Sequence, residues 1–499
     1  MYGWASDSEH LCFRARSRVE RNTHSHDHYL KYRSSNVVRN TVARYANRAG
    51  NLLILFFLTP YLLSKLGADM LGLQVMAFQA MQFCILLGSA CGMGYSRFAT
   101  VHYGRADYAK MNETLGRGLS LTSLILVAVA AVIATLAVFA EQVLNLHGEV
   151  LRAGRTVILI IGAGYLFDQL TEVWGSPLFM SQRIYVGQIG QLAARVLSTV
   201  AVVTLFAFST PSIVKWVSLT VVSTVLVKLL YVLPAARRAV PQAAIRFKSL
   251  KGHEFREMTH FSAASLFVSL GMLLYYASSS IVISNLPSLG VAKVVAYNLG
   301  QRWDPQVREL ALGLALALTP VFTNLYAQND KEGLQKTYLL NLRYAFLLCL
   351  LPVVLLFVYA KPLIGLWIGA EYMAESGVVL QLSMLNVIAS VPYIIGYEVL
   401  AGLGQIRRVA WVNVIGGLAN IALGLILATY GRLGLTGVAL GMLLTHGILL
   451  SSYVIGAVNR KLGIPLRRLL HDTCFRPAIV GIAIIVPSCL LFQLSPPAT

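Results

Sequence analysis

Apolar runs of about twenty residues follow one another along nearly the whole chain, and they fix the fold class before any motif is read. Each is long enough to cross the hydrocarbon layer of a bilayer as a helix. Inside lipid a spanning segment must satisfy its own backbone polar groups, which helices do and open strands do not. The short alternating segments of a transmembrane β-barrel do not occur in the sequence. The runs place spans at 40–63, 73–95, 117–139, 156–178, 184–207, 213–234, 260–285, 296–320, 338–359, 377–400, 410–430, 434–457 and 475–494. The expectation is an all-α polytopic membrane protein with thirteen spans. Only 12% of the residues are charged, against about 25% in soluble domains.

The distribution of charge then gives the orientation. The net charge is +20, which by itself would suggest nucleic-acid binding. However, one set of alternate loops carries 21 Lys and Arg and the other 7, and the tail ahead of residue 40 adds seven to the richer side. By the positive-inside rule the N-terminus is cytoplasmic, in the cell's inner membrane, and the excess charge serves topology and anionic lipid headgroups. No nucleic-acid partner is expected. The six cysteines show no metal or disulfide spacing. No cleavable signal peptide is expected, since the first apolar run begins only near residue 50. The tail 1–38 is polar and basic and reads as disordered. It carries His24, His26 and His28 beside Asp27, a cluster with no second group of ligands nearby.

The chain is internally duplicated. Tyr103 and Asp107 recur as Tyr326 and Asp330, and Gln182 in one interspan turn recurs as Gln405 in another, all at an offset of 223. That offset covers six spans, an even number, so both halves share one orientation, as in parallel repeats. The expected organisation is the tail 1–38, a six-helix lobe 39–237, a basic linker 238–258, a second six-helix lobe 259–458, and a basic stretch with a thirteenth helix in 459–499. Segments 97–113 and 326–337 look like short amphipathic helices lying on the membrane surface.

Four blocks carry a family resemblance. Leu58-Thr-Pro-Tyr-Leu-Leu-Ser-Lys-Leu-Gly-Ala-Asp-Met-Leu-Gly-Leu73 and Ala401-Gly-Leu-Gly-Gln-Ile-Arg-Arg-Val-Ala-Trp-Val-Asn-Val-Ile-Gly-Gly-Leu-Ala-Asn420 are two of them. Tyr430-Gly-Arg-Leu-Gly-Leu-Thr-Gly-Val-Ala-Leu440 and the turn Trp367-Ile-Gly-Ala-Glu-Tyr372 are the others. The chain resembles, over roughly 38–460, the polysaccharide-biosynthesis flippases of the MATE-like (multidrug/oligosaccharidyl-lipid/polysaccharide) superfamily. The resemblance implies a lipid-linked oligosaccharide as cargo, typically a sugar chain on polyprenyl pyrophosphate. Glycosyltransferases and a polymerase of the same pathway would be its partners. Thirteen spans depart from the twelve or fourteen usual in that family.

A pyrophosphate cannot cross hydrocarbon unshielded, so such a cargo needs a cavity that is basic at its centre. Arginine suits the task because its planar fork pairs with phosphate and stays charged. The first span carries Asn40, Arg44, Asn47, Arg48 and Asn51 at helical spacing on one face. Intramembrane arginines usually face a protein interior or a watery cavity, although arginines near a span's end also snorkel to the interface. Arg302 and Arg308 lie in the eighth span, with Asp304 spaced to pair with Arg308. The Trp303-Asp304-Pro305 sequence there also marks a potential break. Asp168 and Glu172 in the fourth span and Arg195 in the fifth reach similar depth, which suggests either a structural ion pair or an ion-coupling site. The expected cargo cavity comprises Arg44, Asn47, Arg48, Asn51, Arg302 and Arg308. No cofactor is implied. An enzyme is disfavoured: the longest external loop, 140–155, holds only Glu141 and Glu149 as acids, and no Gly-rich strand-to-helix turn could cradle a nucleotide. A cation-coupled multidrug exporter of the same fold is the alternative.

Overall fold

The computed structural model describes residues 6–144, 146–286, 289–315, 318–403 and 405–475. All its regular structure among these is helical. α1 (Ser6–Gly104) holds the first two spans, which fold back on each other at Gly67, the one non-helical position inside it (φ 77°). α1 begins at Ser6, inside the stretch read from sequence as a tail, because no glycine or proline interrupts residues 4–49. α2 (Tyr108–Val138), α3 (Gly148–Met180), α4 (Ile184–Phe208) and α5 (Ile213–Ala239) complete the first lobe.

The second lobe opens with α6 (His253–Tyr276) and α7 (Ser278–Asn285), one span broken at Ala277. Its next span is split into α8 (Gly290–Gln301), α9 (Asp304–Ala315) and α10 (Leu318–Ala327). α11 (Lys331–Val358), α12 (Ala370–Gly402), α13 (Ile406–Thr429) and α14 (Gly434–Leu462) follow. Among the described residues, nine helices are long and apolar enough to cross a membrane. Among the described residues the expected spans up to 457 fall on helices, the seventh and eighth in separate pieces. The thirteenth, at 475–494, lies outside the described residues beyond its first position.

The duplication is written into the backbone. Gly67 and Gly290, 223 residues apart, both take left-handed φ (77° and 75°) where a non-glycine would be strained. Ala106 and Asn329, again 223 apart, take left-handed φ in the corresponding turns (55° and 54°). Asp107 and Asp330 then cap the next helix, accepting from Lys110 N and Gly333 N. These turns correct the expectation of surface helices at 97–113 and 326–337. Each stretch is the end of one long helix, a tight capped turn and the start of the next, because the left-handed residue and the aspartate cap reverse the chain within three residues.

Residues 240–252, between the lobes, are largely irregular. They are tied to α2 rather than hanging free: Asn112 Nδ2 donates to Gln242 O (3.0 Å), Ala244 N donates to Asn112 Oδ1 (2.9 Å), and Lys248 N donates to Ser120 Oγ (3.0 Å). Glu254, at the start of α6, then meets His102 Nε2 and Thr114 Oγ1, both at 2.8 Å. Burial pushes the Glu254 carboxyl up. The hydrogen bonds from His102 and Thr114 and the charges of His102 and Arg117 outweigh it and hold the group below the ordinary carboxylate range. Close to this point a Cβ on Gly94 of α1 would lie 2.2 Å from Ser262 Oγ of α6. The lobes therefore touch closely at the face where α1 ends.

Candidate functional site

The lobes meet again at the break in the eighth span. Pro305 sits just inside α9 and has no N–H to continue a helix from the preceding turn. The chain leaves helical hydrogen bonding at Arg302 and Trp303 and resumes at Asp304. On one side of this break both lobes reach across. Arg48 of α1 donates to Pro305 O (2.7 Å), and Arg302 donates to Thr59 Oγ1 of α1 (3.2 Å). Trp303 meets Trp367 edge-on, and Trp367 stacks on Phe56 of α1 at 5.7 Å. Pro60 cannot donate to Phe56 O, its partner one turn back. That carbonyl instead accepts from Trp367 Nε1 at 2.7 Å.

The arginines at this contact are short of negative charge. Arg48 and Arg302 each bond a neutral acceptor, and neither has a carboxylate within ion-pair distance among the described residues. Arg195 of α4 lies close enough to Arg302 for the two like charges to repel. Arg44 is exposed one turn before Arg48.

Arg308 differs. It pairs with Asp304, as the spacing predicts, and lies over the Tyr276 ring at 4.2 Å. Asp304 is fully buried and also accepts from Asn386 Nδ2 of α12 (3.1 Å). Asn386 Oδ1 accepts from His446 Nδ1 of α14 at 3.2 Å, and His446 packs edge-on against Tyr275, Tyr276 and Tyr393. Arg308 belongs to this closed knot within the second lobe.

The polar face of the first span divides in the same way. Asn40 bridges the α3–α4 turn, donating to Gln182 O and accepting from Tyr185 N. Asn47 donates to Gln188 and Gln191 of α4, and Asn51 donates to Asn47. These asparagines fasten α1 to α4, and of this stripe only Arg48 reaches the other lobe.

Asp168 and Glu172 do share a cation, but it is not Arg195. Lys228 Nζ lies 2.6 Å from Asp168 Oδ1 and 3.2 Å from Glu172 Oε2, and it also donates to Asp168 O. Lys228 is buried and begins a short π-helical stretch in α5 (Lys228–Val232). Arg195 fails as the partner because its neighbourhood is that of Arg302. A lone lysine within an apolar run was the sequence signal for Lys228. A lone histidine in the span 434–457 was the signal for His446.

Two six-span lobes in one orientation, meeting at a broken helix and at intramembrane arginines, define a helical membrane transporter. The chain belongs to the MatE family, whose model matches residues 51–182 and 264–426. It is similar to an inward-facing multidrug resistance MATE family transporter of the MOP superfamily, at 16% identity and a TM-score of 0.67, covering 82% of this chain and 94% of that one. It is also similar to a MOP superfamily transporter from Pyrococcus furiosus, described as having a binding pocket whose reverse polarity suggests a different function. That match is 17% identical, with a TM-score of 0.62, over 86% of this chain and 95% of that one. Among curated proteins it is 24% identical over 416 residues to the uncharacterized membrane protein EpsK of Bacillus subtilis (strain 168), covering 82% of each.

Proposed function

We propose that this transporter flips a lipid-linked oligosaccharide, carried on polyprenyl pyrophosphate, from the cytoplasmic to the outer leaflet for surface polysaccharide synthesis. The observation that carries the reading is that Arg48 and Arg302 each reach across between the lobes, with Arg195 near Arg302, and that among the described residues none of the three has a carboxylate within ion-pair distance. Such a group is unfavourable in a low-dielectric setting until an anion arrives, and a pyrophosphate supplies several acceptor oxygens for planar guanidinium forks. In this reading Arg44 stands at the cytoplasmic entrance, the face given by the positive-inside count. The sugar and pyrophosphate pass between the lobes while the polyprenyl tail stays in lipid, and the lobes rock to alternate access. Glycosyltransferases and a polymerase would work on either side of the step.

The second reading, a cation-coupled multidrug exporter, draws support from the multidrug transporters of similar fold. It asks for an acidic cavity, whereas here Asp304 is neutralised by Arg308 and the Asp168–Glu172 pair is held by Lys228. Arg48→Ala and Arg302→Ala, each checked for membrane insertion, are expected to lower surface polysaccharide at least tenfold. Unchanged polysaccharide in both, with increased sensitivity to cationic drugs, would instead establish the exporter.

A further inference from the structure

We propose that Asn386 is a positioning residue for Arg302, acting through the buried carboxylate of Asp304; the inference rests on the anion-binding reading above. Arg302 lies in a two-residue break, and among the described residues its side chain bonds the other lobe, at Thr59. What fixes the break is α12, the helix on which both half-helices are seated. On the α8 side, Ser376 Oγ of α12 donates to Ala296 O at 2.7 Å, and a Cβ on Gly300 would lie 2.5 Å from Ser376 O. On the α9 side the attachment is polar, from Asn386 Nδ2 to Asp304 Oδ2. Asp304 is two residues beyond Arg302 and fully buried, and Asn386 is buried as well.

The orientation of the Asn386 amide is itself determined. Its Oδ1 can only accept, so His446 Nδ1 donates to it, and the amide N–H groups are left facing Asp304. His446 is in turn walled in by Tyr275, Tyr276 and Tyr393. The chain His446–Asn386–Asp304 thus sets where α9 begins. The start of α9 sets where Arg302 and Pro305 O meet Thr59 and Arg48 of the first lobe. Without the amide, one Asp304 oxygen keeps its charge in a site that water does not reach, and the carboxylate turns toward Arg308. A displacement of about 1 Å at a positioned group is enough to cost on the order of a hundredfold in function.

The test is a double-mutant cycle on the purified full chain in detergent, with binding of inorganic pyrophosphate and of farnesyl pyrophosphate as readouts. Asn386→Ala is expected to weaken binding about tenfold, and Arg302→Ala at least as much. The double variant is expected to lose far less than the full Asn386 factor beyond Arg302→Ala alone, because Asn386 acts through the break that carries that arginine. Asn386→Leu, close in size and lacking the donor, serves where the alanine variant does not accumulate. A double variant weaker than Arg302→Ala by the whole Asn386 factor, or Asn386 variants binding like wild type, overturns the positioning role and leaves the anion reading intact. A wild-type protein that binds neither probe overturns the anion reading and this inference with it.

Discussion

Two arginines six residues apart in the eighth span are used in opposite ways. Arg308 is neutralised by Asp304 and stacked on Tyr276, whereas Arg302, among the described residues, holds a threonine hydroxyl and no carboxylate. Helical spacing showed the first pairing, since i and i+4 side chains meet on one face. It could not show the second, because Thr59 is 243 residues away and belongs to the other lobe. The same limit misassigned the partner of Asp168 and Glu172. Comparable depth on neighbouring helices pointed to Arg195, but depth along a span says nothing about rotation around it. Lys228→Met tests the observed pairing. Both carboxylates would lose their shared ammonium, and about half of each side chain is exposed (42% and 55%). The loss should therefore fall below that of a fully buried pair, at about 1–2 kcal/mol. A lowered thermal midpoint in detergent, partly restored by adding Asp168→Asn, is the expected result.

Element boundaries were legible where chemistry punctuates the chain. The Trp303-Asp304-Pro305 break was marked in this way, whereas the Asp107 and Asp330 caps, which also act locally, were read only as signs of duplication. The break at Ala277 was not legible, since no proline marks it. There Ser278 Oγ donates back to Leu274 O, a bond that competes with the helical ladder and bends helices. The supposed surface helices were misread because amphipathic composition fits a helix end as well as a free helix. Packing between elements depends on small residues. A Cβ on Gly271 of α6 would sit 2.4 Å from Asn413 Cβ of α13. Gly271→Ala must push these helices apart and is expected to cost about 1–3 kcal/mol, read as a drop in thermal midpoint. Gly187→Ala in α4, where nothing lies within 4 Å, serves as the control and should be neutral.

At the scale of the whole molecule, the two-lobe architecture followed from span count, even offset and duplication, because those depend only on chain order. The asymmetry between lobes did not follow from them. At the offset of 223 the counterparts of Arg44 and Arg48 are Phe267 and Gly271, and only coordinates show that Arg302 reaches back to the first lobe at Thr59. Rocking requires the contact between Gly94 and Ser262 to separate. Gly94→Cys with Ser262→Cys, in a background without the native cysteines, places two Cβ atoms within disulfide reach. Oxidation is expected to stop transport and reductant to restore it. Transport that continues with the bond formed would show that this contact stays closed throughout the cycle.

Two of the bonds that join the lobes end on main-chain carbonyls: Phe56 O, left without its helical donor by Pro60, and the carbonyl of Pro305 itself. A carbonyl survives any side-chain substitution at its own position. At Phe56 and Pro305 the hydrogen bond itself therefore survives substitution, whereas at the donors Trp367 and Arg48 it does not. The acceptors of this junction are thus set by where the backbone lies, which Pro60 and Pro305 shape, rather than by the side chains displayed there.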